Sequence, residues 1–192
     1  MASQSTLSVC CPVPTSVASV VTTLNPCPED VGQIQKLIFW RRGNSLATLA
    51  TAIAQTTWTT LLAATDDTKA IISPFVGNVE SPFSDPREFG GSNETRHGAP
   101  IRKGSASTTF KASMYQEDQD VIAALKDLAC EALDVLFVNE SNQLIYKEGL
   151  AGSVVQGFQI AENSFYVSDK GVGGQDDADV NILTFNLKPN WS

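Results

Sequence analysis

The side chains able to do chemistry are few, and their spacing argues against each of the usual sites. His97 is the single histidine and stands between Arg96 and Gly98 in a glycine-rich stretch. A histidine base needs a nucleophile to activate and a third group to orient it, and the chain has no Gly-x-Ser-x-Gly elbow and no supported pairing of cysteine with histidine. Cys10, Cys11, Cys27 and Cys130 are spaced neither as paired zinc knuckles nor as a disulfide framework, so they read as plain thiols. Gly171, Gly173 and Gly174 resemble a phosphate loop only in being glycines: the Gly-Lys-Ser/Thr ending is missing and acids come next instead of a helix. Asp177, Asp179 and Asn181 have the alternate-oxygen spacing of half a calcium loop, but Ile182 fills its glycine position and Lys188 its bidentate glutamate position. A solvated turn is the expectation there. The adjacent carboxylates Asp66 and Asp67 fall beside a helix end and need no acid/base role. No catalytic residue, no cofactor and no metal is expected, and the chain does not read as an enzyme.

The elements that would position any site centre on residues 108–142. Within it, TTFKASMYQ reads as a strand, EDQDVIAALKDLACEALD as a helix and VLFVNESN as a second strand. Val121, Leu125, Leu128 and Ala132 recur at helical spacing, with Ile122 and Ala129 widening the stripe, so one face should be buried, with Cys130 at its edge as a small hydrophobe. Glu117, Asp118 and Asp120 crowd the first turn, where carboxylates suit the positive end of the helix dipole and cap free amides. The run 135–138, a turn and then 144–146 read as a hairpin. Further strands are expected at 34–40, 70–76, 154–160, 163–167 and 180–187, the last alternating with Leu183, Phe185 and Leu187 on one side against Asn181, Thr184 and Asn186. Residues 47–64 are helical in parts, with Trp58, Leu61 and Leu62 on one side. The sum is a mainly β, α+β chain: an antiparallel β-sandwich or barrel with one flanking helix.

Composition bounds the rest. A chain of 192 residues, 42% hydrophobic and 18% charged, buries a real core and is most simply one domain, residues 31–192, behind an N-terminal arm at 1–30 that Pro12, Pro14, Pro26 and Pro28 keep from forming a regular helix. The first basic residue is Lys36, so no charged leader precedes an apolar run and a cytoplasmic product is expected. Residues 43–65 are uncharged, but seven threonines make them too polar for a membrane span, and no membrane partner is expected.

Net charge is −8, unevenly spread: residues 1–112 hold 9 basic and 8 acidic groups (+1), residues 113–192 hold 4 and 13 (−9). Acid on that scale repels phosphate and disfavours ordinary nucleic-acid binding through a basic patch. By contrast, residues 77–107 form an extended stretch rich in glycine and proline that mixes Arg87, Arg96, Arg102 and Lys103 with acids and has Phe83 and Phe89, with Phe75 just before it, as anchors. A loop of this length is usually functional or disordered. Its texture suits an arm that docks on another subunit, with Phe83, Arg87, Phe89, Arg96, Arg102 and Lys103 as contact residues.

The order of these parts (arm, strands, long Gly/Pro loop, strand into one helix, hairpin, closing strands to FNLKPNWS) resembles phage tail tube proteins. TTWTTLLAATDDTKAIISPFV, REFGGSNETRHGAPI and VLFVNESNQLI are also similar to stretches of virion proteins of Bacteroidetes-infecting phages, a likeness over most of residues 27–192. The resemblance implies a sandwich that assembles into stacked, hexameric rings in the virion tail, made in the host cytoplasm and contacting other virion proteins. It also implies a lumen through which DNA passes without specific binding. Glu140, Glu148, Asp169, Asp176, Asp177 and Asp179 are the acids expected to face that lumen. A capsid decoration or head-fibre protein, or a head-tail connector ring, is the alternative. The proline- and cysteine-rich N-terminus departs from the tail-tube pattern.

Overall fold

The computed structural model describes residues 31–81, 86–92, 94, 96–149, 154–174, 177–189 and 191. The expected arm at 1–30 lies outside them, as do Phe83 and Asp176, and the side chain of Arg96 is not described. In chain order the elements are β1 (Ile34–Arg41), β2 (Ser45–Leu46), α1 (Leu49–Ile53), α2 (Gln55–Ala63), β3 (Ala70–Ile72), β4 (Gly77–Glu80), β5 (Pro86–Phe89), β6 (Ile101–Ser105), β7 (Thr108–Tyr115), α3 (Gln119–Asp127), β8 (Leu133–Asn139), β9 (Leu144–Ile145), β10 (Lys147–Glu148), β11 (Val155–Gln156), β12 (Phe158–Gln159), β13 (Tyr166–Val167) and β14 (Val180–Leu187).

The chain is mainly β, with antiparallel sheets and a few helices. A central sheet runs β12-β8-β1-β3, with β9 also on β8, and a second runs β13-β14-β7-β4. Strict alternation on β7 and β14 turns Phe110, Ala112, Met114, Leu183, Phe185 and Leu187 to one face. Those side chains share one core with Leu37, Phe39, Val135 and Phe137 of the central sheet. The ring of Phe110 lies 4.7 Å from that of Phe185 and 5.4 Å from that of Phe137. Each such phenylalanine, removed fully from water, contributes roughly 1.5–3 kcal/mol. Among the described strands neither sheet closes on itself, so the barrel expected from sequence is not formed.

The other face of the central sheet is covered too. Ile38, Trp40 and Leu136 pack against Leu46, Ala52 and Val155, with Leu49, Trp58 and Leu61 around them. The cover consists of α1, α2 and a small sheet, β10-β11-β2. Burial on both faces explains why β8 reads as a continuous apolar run and not as an alternation. Gly157 marks where the chain steps from β11 in the small sheet to β12 in the central one: a Cβ there would lie 2.8 Å from both Asp134 Cβ and Trp40 Nε1.

Several expectations are corrected. The single flanking helix becomes three α-helices among the described residues. The threonines of α2 survive in a helix because Thr59 and Thr60 donate to the carbonyls of Gln55 and Thr56, and Trp58 Nε1 donates to Ala52 O at 2.7 Å; Leu62 faces solvent. α3 is shorter than expected and ends in a 3-10 turn, Leu128–Cys130. Ile122, Leu125 and Leu128 are its buried residues; Val121 falls outside that face, and Cys130 and Ala132 are exposed where the chain turns toward β8, which begins at Leu133. Asp118 stands at the N-cap but its side chain makes no capping bond. The strand expected at 70–76 stops at Ile72, and the strand at 154–160 is split at Gly157. The stretch at 77–107, expected as loop, holds three short strands among its described residues: β4 pairs with β7, and β5 with β6.

Candidate interaction surface

The β5–β6 pair is a two-stranded ribbon inserted between β4 and β7. Its register is Pro86↔Ser105, Arg87↔Gly104, Glu88↔Arg102 and Phe89↔Ile101, with a shift between Arg87 and Glu88 that leaves Lys103 as the extra, bulged residue. Gly104, beside the bulge, has φ 145°, which a side chain would strain. Among the described residues no core lies behind the ribbon: Phe89 and Ile101 are 46% and 55% exposed. An isolated two-stranded hairpin is marginal in water, so this one depends on local contacts and on its continuation into β4 and β7. Lys103 Nζ sits 4.8 Å from the centroid of the Phe89 ring, a cation–π contact of about 0.5–1 kcal/mol at an exposed site. Glu88 and Arg102 face each other as a cross-strand pair of opposite charge. At the tip, His97 adopts φ 68° in a short 3-10 turn, Arg96–Gly98, and is exposed. The structure therefore brings Arg87, Phe89, Arg102 and Lys103 together on one exposed element.

The acids singled out from sequence do not form one group. Asp169, Asp177 and Asp179 lie in or beside the segment joining β13 to β14, and that segment is tied to the start of α3. Gln116 N donates to Asp179 O at 3.0 Å, Lys170 Nζ donates to Glu117 O at 2.9 Å, and Lys126 pairs with Asp169. The Lys126 ammonium holds the Asp169 carboxyl below the usual carboxylate range. Glu117, Asp118 and Asp120 thus join Asp169, Asp177 and Asp179 at one end of the molecule. Glu140 sits instead in the turn after β8, its N–H donating to Gln33 O, and Glu148 lies half-buried on β10. The calcium-like spacing is spent on the fold: Asn181 is buried and donates to Ser168 O, and Asp179 Oδ1 accepts from Gly173 N. Among the described residues no group of three potential ligands is placed to hold a metal.

Two features have no signal in the sequence. Arg42 donates to Glu162 Oε1 at 2.8 Å and to Ile160 O at 2.6 Å, and its Nε stands 3.6 Å from Oδ1 of the buried Asp134. Burial raises the Asp134 carboxyl above its ordinary range, and the Gly43 amide and Arg42 offset only part of this. A cleft of about 280 Å³ is lined by Phe39, Ile71 and Leu128 and rimmed by Asp66, Asp67 and the Arg41–Glu131 pair, bidentate at 2.9 and 3.0 Å. Its lining contains neither histidine nor cysteine.

No helix of the described residues is long and apolar enough to cross a membrane. Comparison of the chain with protein-family models, with curated proteins and with solved structures finds no match.

Proposed function

We propose that this chain is a structural protein of a phage virion that assembles with copies of itself into stacked rings, forming the tail tube through which DNA passes during ejection. The observation that carries the reading is the β5–β6 ribbon, which exposes Phe89 and Ile101 beside Arg87, Arg102 and Lys103 with no core of its own. A segment that gains so little from its own fold is stabilised by the surface it docks on. The two facing sheets sharing one core suit a β-sandwich of the tail-tube kind, and the −9 charge of residues 113–192 suits a wall to which DNA phosphates do not adhere. On this reading the protein's partners are itself, other virion proteins and, transiently, DNA. Electron microscopy of the purified full chain tests it: rings or tubes are expected, trimers or capsid-bound spikes would move the protein to the decoration class, and a monomer at every concentration would remove the reading.

A further inference from the structure

We infer that copies of this chain associate head to tail, the basic ribbon of one seated on the acidic end that α3 and the β13–β14 segment form on the next. This rests on the self-assembly proposed above and names the two surfaces that meet.

β7 sets the distance between those surfaces. The ribbon enters β7 at Thr108, and the chain leaves β7 at Tyr115 toward α3. Eight residues of strand separate the two surfaces, roughly 26 Å at the rise of a β-strand. Every described residue of β5 is exposed, as are all of β6 up to Gly104, so the ribbon does not fold back onto its own body. In this structure the ribbon stands away from its own acidic end, which leaves that end open to the ribbon of a second copy.

Charge and apolar surface are complementary across the proposed contact. The ribbon, residues 86–105, carries Arg87, Arg96, Arg102 and Lys103 against Glu88 and Glu94. The opposite end carries Glu117, Asp118, Asp120, Asp169, Asp177 and Asp179, and its lysines Lys126 and Lys170 are both engaged there, with Asp169 and with the Glu117 carbonyl. Phe89 and Ile101 on the ribbon are matched by exposed apolar side chains at the acidic end: Tyr115, Val121 and Val172, the last 82% exposed. The acids alone would only attract cations; exposed valines and a tyrosine among them ask for an apolar partner as well. Because two different surfaces meet, the contact is heterologous and repeats, giving closed rings or open stacks. Asp177 then serves the contact between copies, Asp169 and Asp179 are engaged within the chain by Lys126 and the Gly173 amide, and Glu140 and Glu148 remain as acids for a passage.

The test uses the full chain in three forms beside the wild type: ribbon-reversed (R87E, R102E and K103E together), end-reversed (D118K, D120K and D177K together), and the two sets combined. All six positions are exposed, so the core is untouched; lysines at 118 and 120 oppose the positive end of α3 and a glutamate at 102 faces Glu88, so the melting temperature should fall by a few degrees while circular dichroism keeps the wild-type signal. Sedimentation velocity and electron microscopy at low salt should show assembly by the wild type and none by either reversed form. Assembly should return in the combined form and in an equimolar mixture of the two reversed forms, in which opposite ends alternate. Reversed forms that assemble as the wild type does, or a failure of both the combined form and the mixture to assemble, would overturn the contact while leaving self-assembly standing. A wild type that stays monomeric would overturn both.

Discussion

The Nε of Arg42 stands 3.6 Å from Oδ1 of Asp134, a residue only 4% exposed between β1 and β12. A carboxylate there loses more solvation than Arg42 and the Gly43 amide return, so its proton is held more tightly in the folded than in the unfolded chain. A carboxyl with a raised folded pKa contributes stability that is fully present below the ordinary Asp range and is lost as pH rises through the folded pKa. Asp134→Asn keeps the shape and removes the titration. Urea unfolding of both proteins from pH 4 to 8 should show the variant gaining on the wild type as pH rises. A difference independent of pH would show that Asp134 is not a destabilising charge.

Leu125 and Leu128 both face the core shared by the two sheets. Truncating either to Ala removes buried methyl groups and leaves a cavity, which should cost roughly 2–5 kcal/mol in denaturant unfolding. Val121, one position before the buried Ile122, is exposed, and Val121→Ala should cost less than about 0.5 kcal/mol. Equal costs for Val121 and Leu125 would place the wrong face of α3 against the sheets.

Gly157 has room for no side chain: beside the two contacts at 2.8 Å, Val135 N would lie 3.1 Å from the new Cβ. Gly157→Ala must push Trp40 or β8 aside, and overpacking of this kind costs roughly 1–3 kcal/mol. The loss should be visible in thermal unfolding together with a change in the near-ultraviolet signal of Trp40. A variant as stable as the wild type would mean that β12 is not held this close to β8.

Much of the sheet structure is legible in the sequence because period and burial agree. On β14 the alternation of Leu183, Phe185 and Leu187 with Thr184 and Asn186 is the two-sided pattern the structure shows, whereas Asn181, expected on the polar side, is buried on the same face as Leu183. The hairpin after Val138 is legible for a different reason, an apolar run broken by Asn139 and Asn142, and Phe137 pairs with Ile145. The helices α1 and α2 are hard to read because threonine-rich, uncharged sequence carries no amphipathic period, and the contact that holds them, the stack of Trp58 on Trp40 at 6.3 Å, is tertiary. The ribbon reads as loop because its strands are short, polar and interrupted by glycine, features that bar a core but not pairing. The grouping of Asp179 with Glu117 is invisible in sequence, since it depends on β14 pairing with β7 at Val180↔Tyr115. The burial of Asp134 arises in the same way, from its register against Trp40 and Gln159.

Folding and assembly should be separable at the end of β4. Val79 of β4 packs against the core and Glu80 pairs with Lys111 of β7, so β4 belongs to the folded body, and only the ribbon beyond it is dispensable. Replacing residues 82–105 with a short Gly/Asn turn removes the ribbon but no described residue of the core shared by the two sheets, and a shorter connection lowers the entropic cost of closing it. The melting temperature should therefore stay within a few degrees of the wild type. If the ribbon is the docking element, the shortened chain should sediment as a monomer under conditions in which the full chain assembles. A shortened chain that still forms the wild-type oligomer would assign assembly to other surfaces, while one that fails to melt cooperatively would show that the ribbon is part of the folded body.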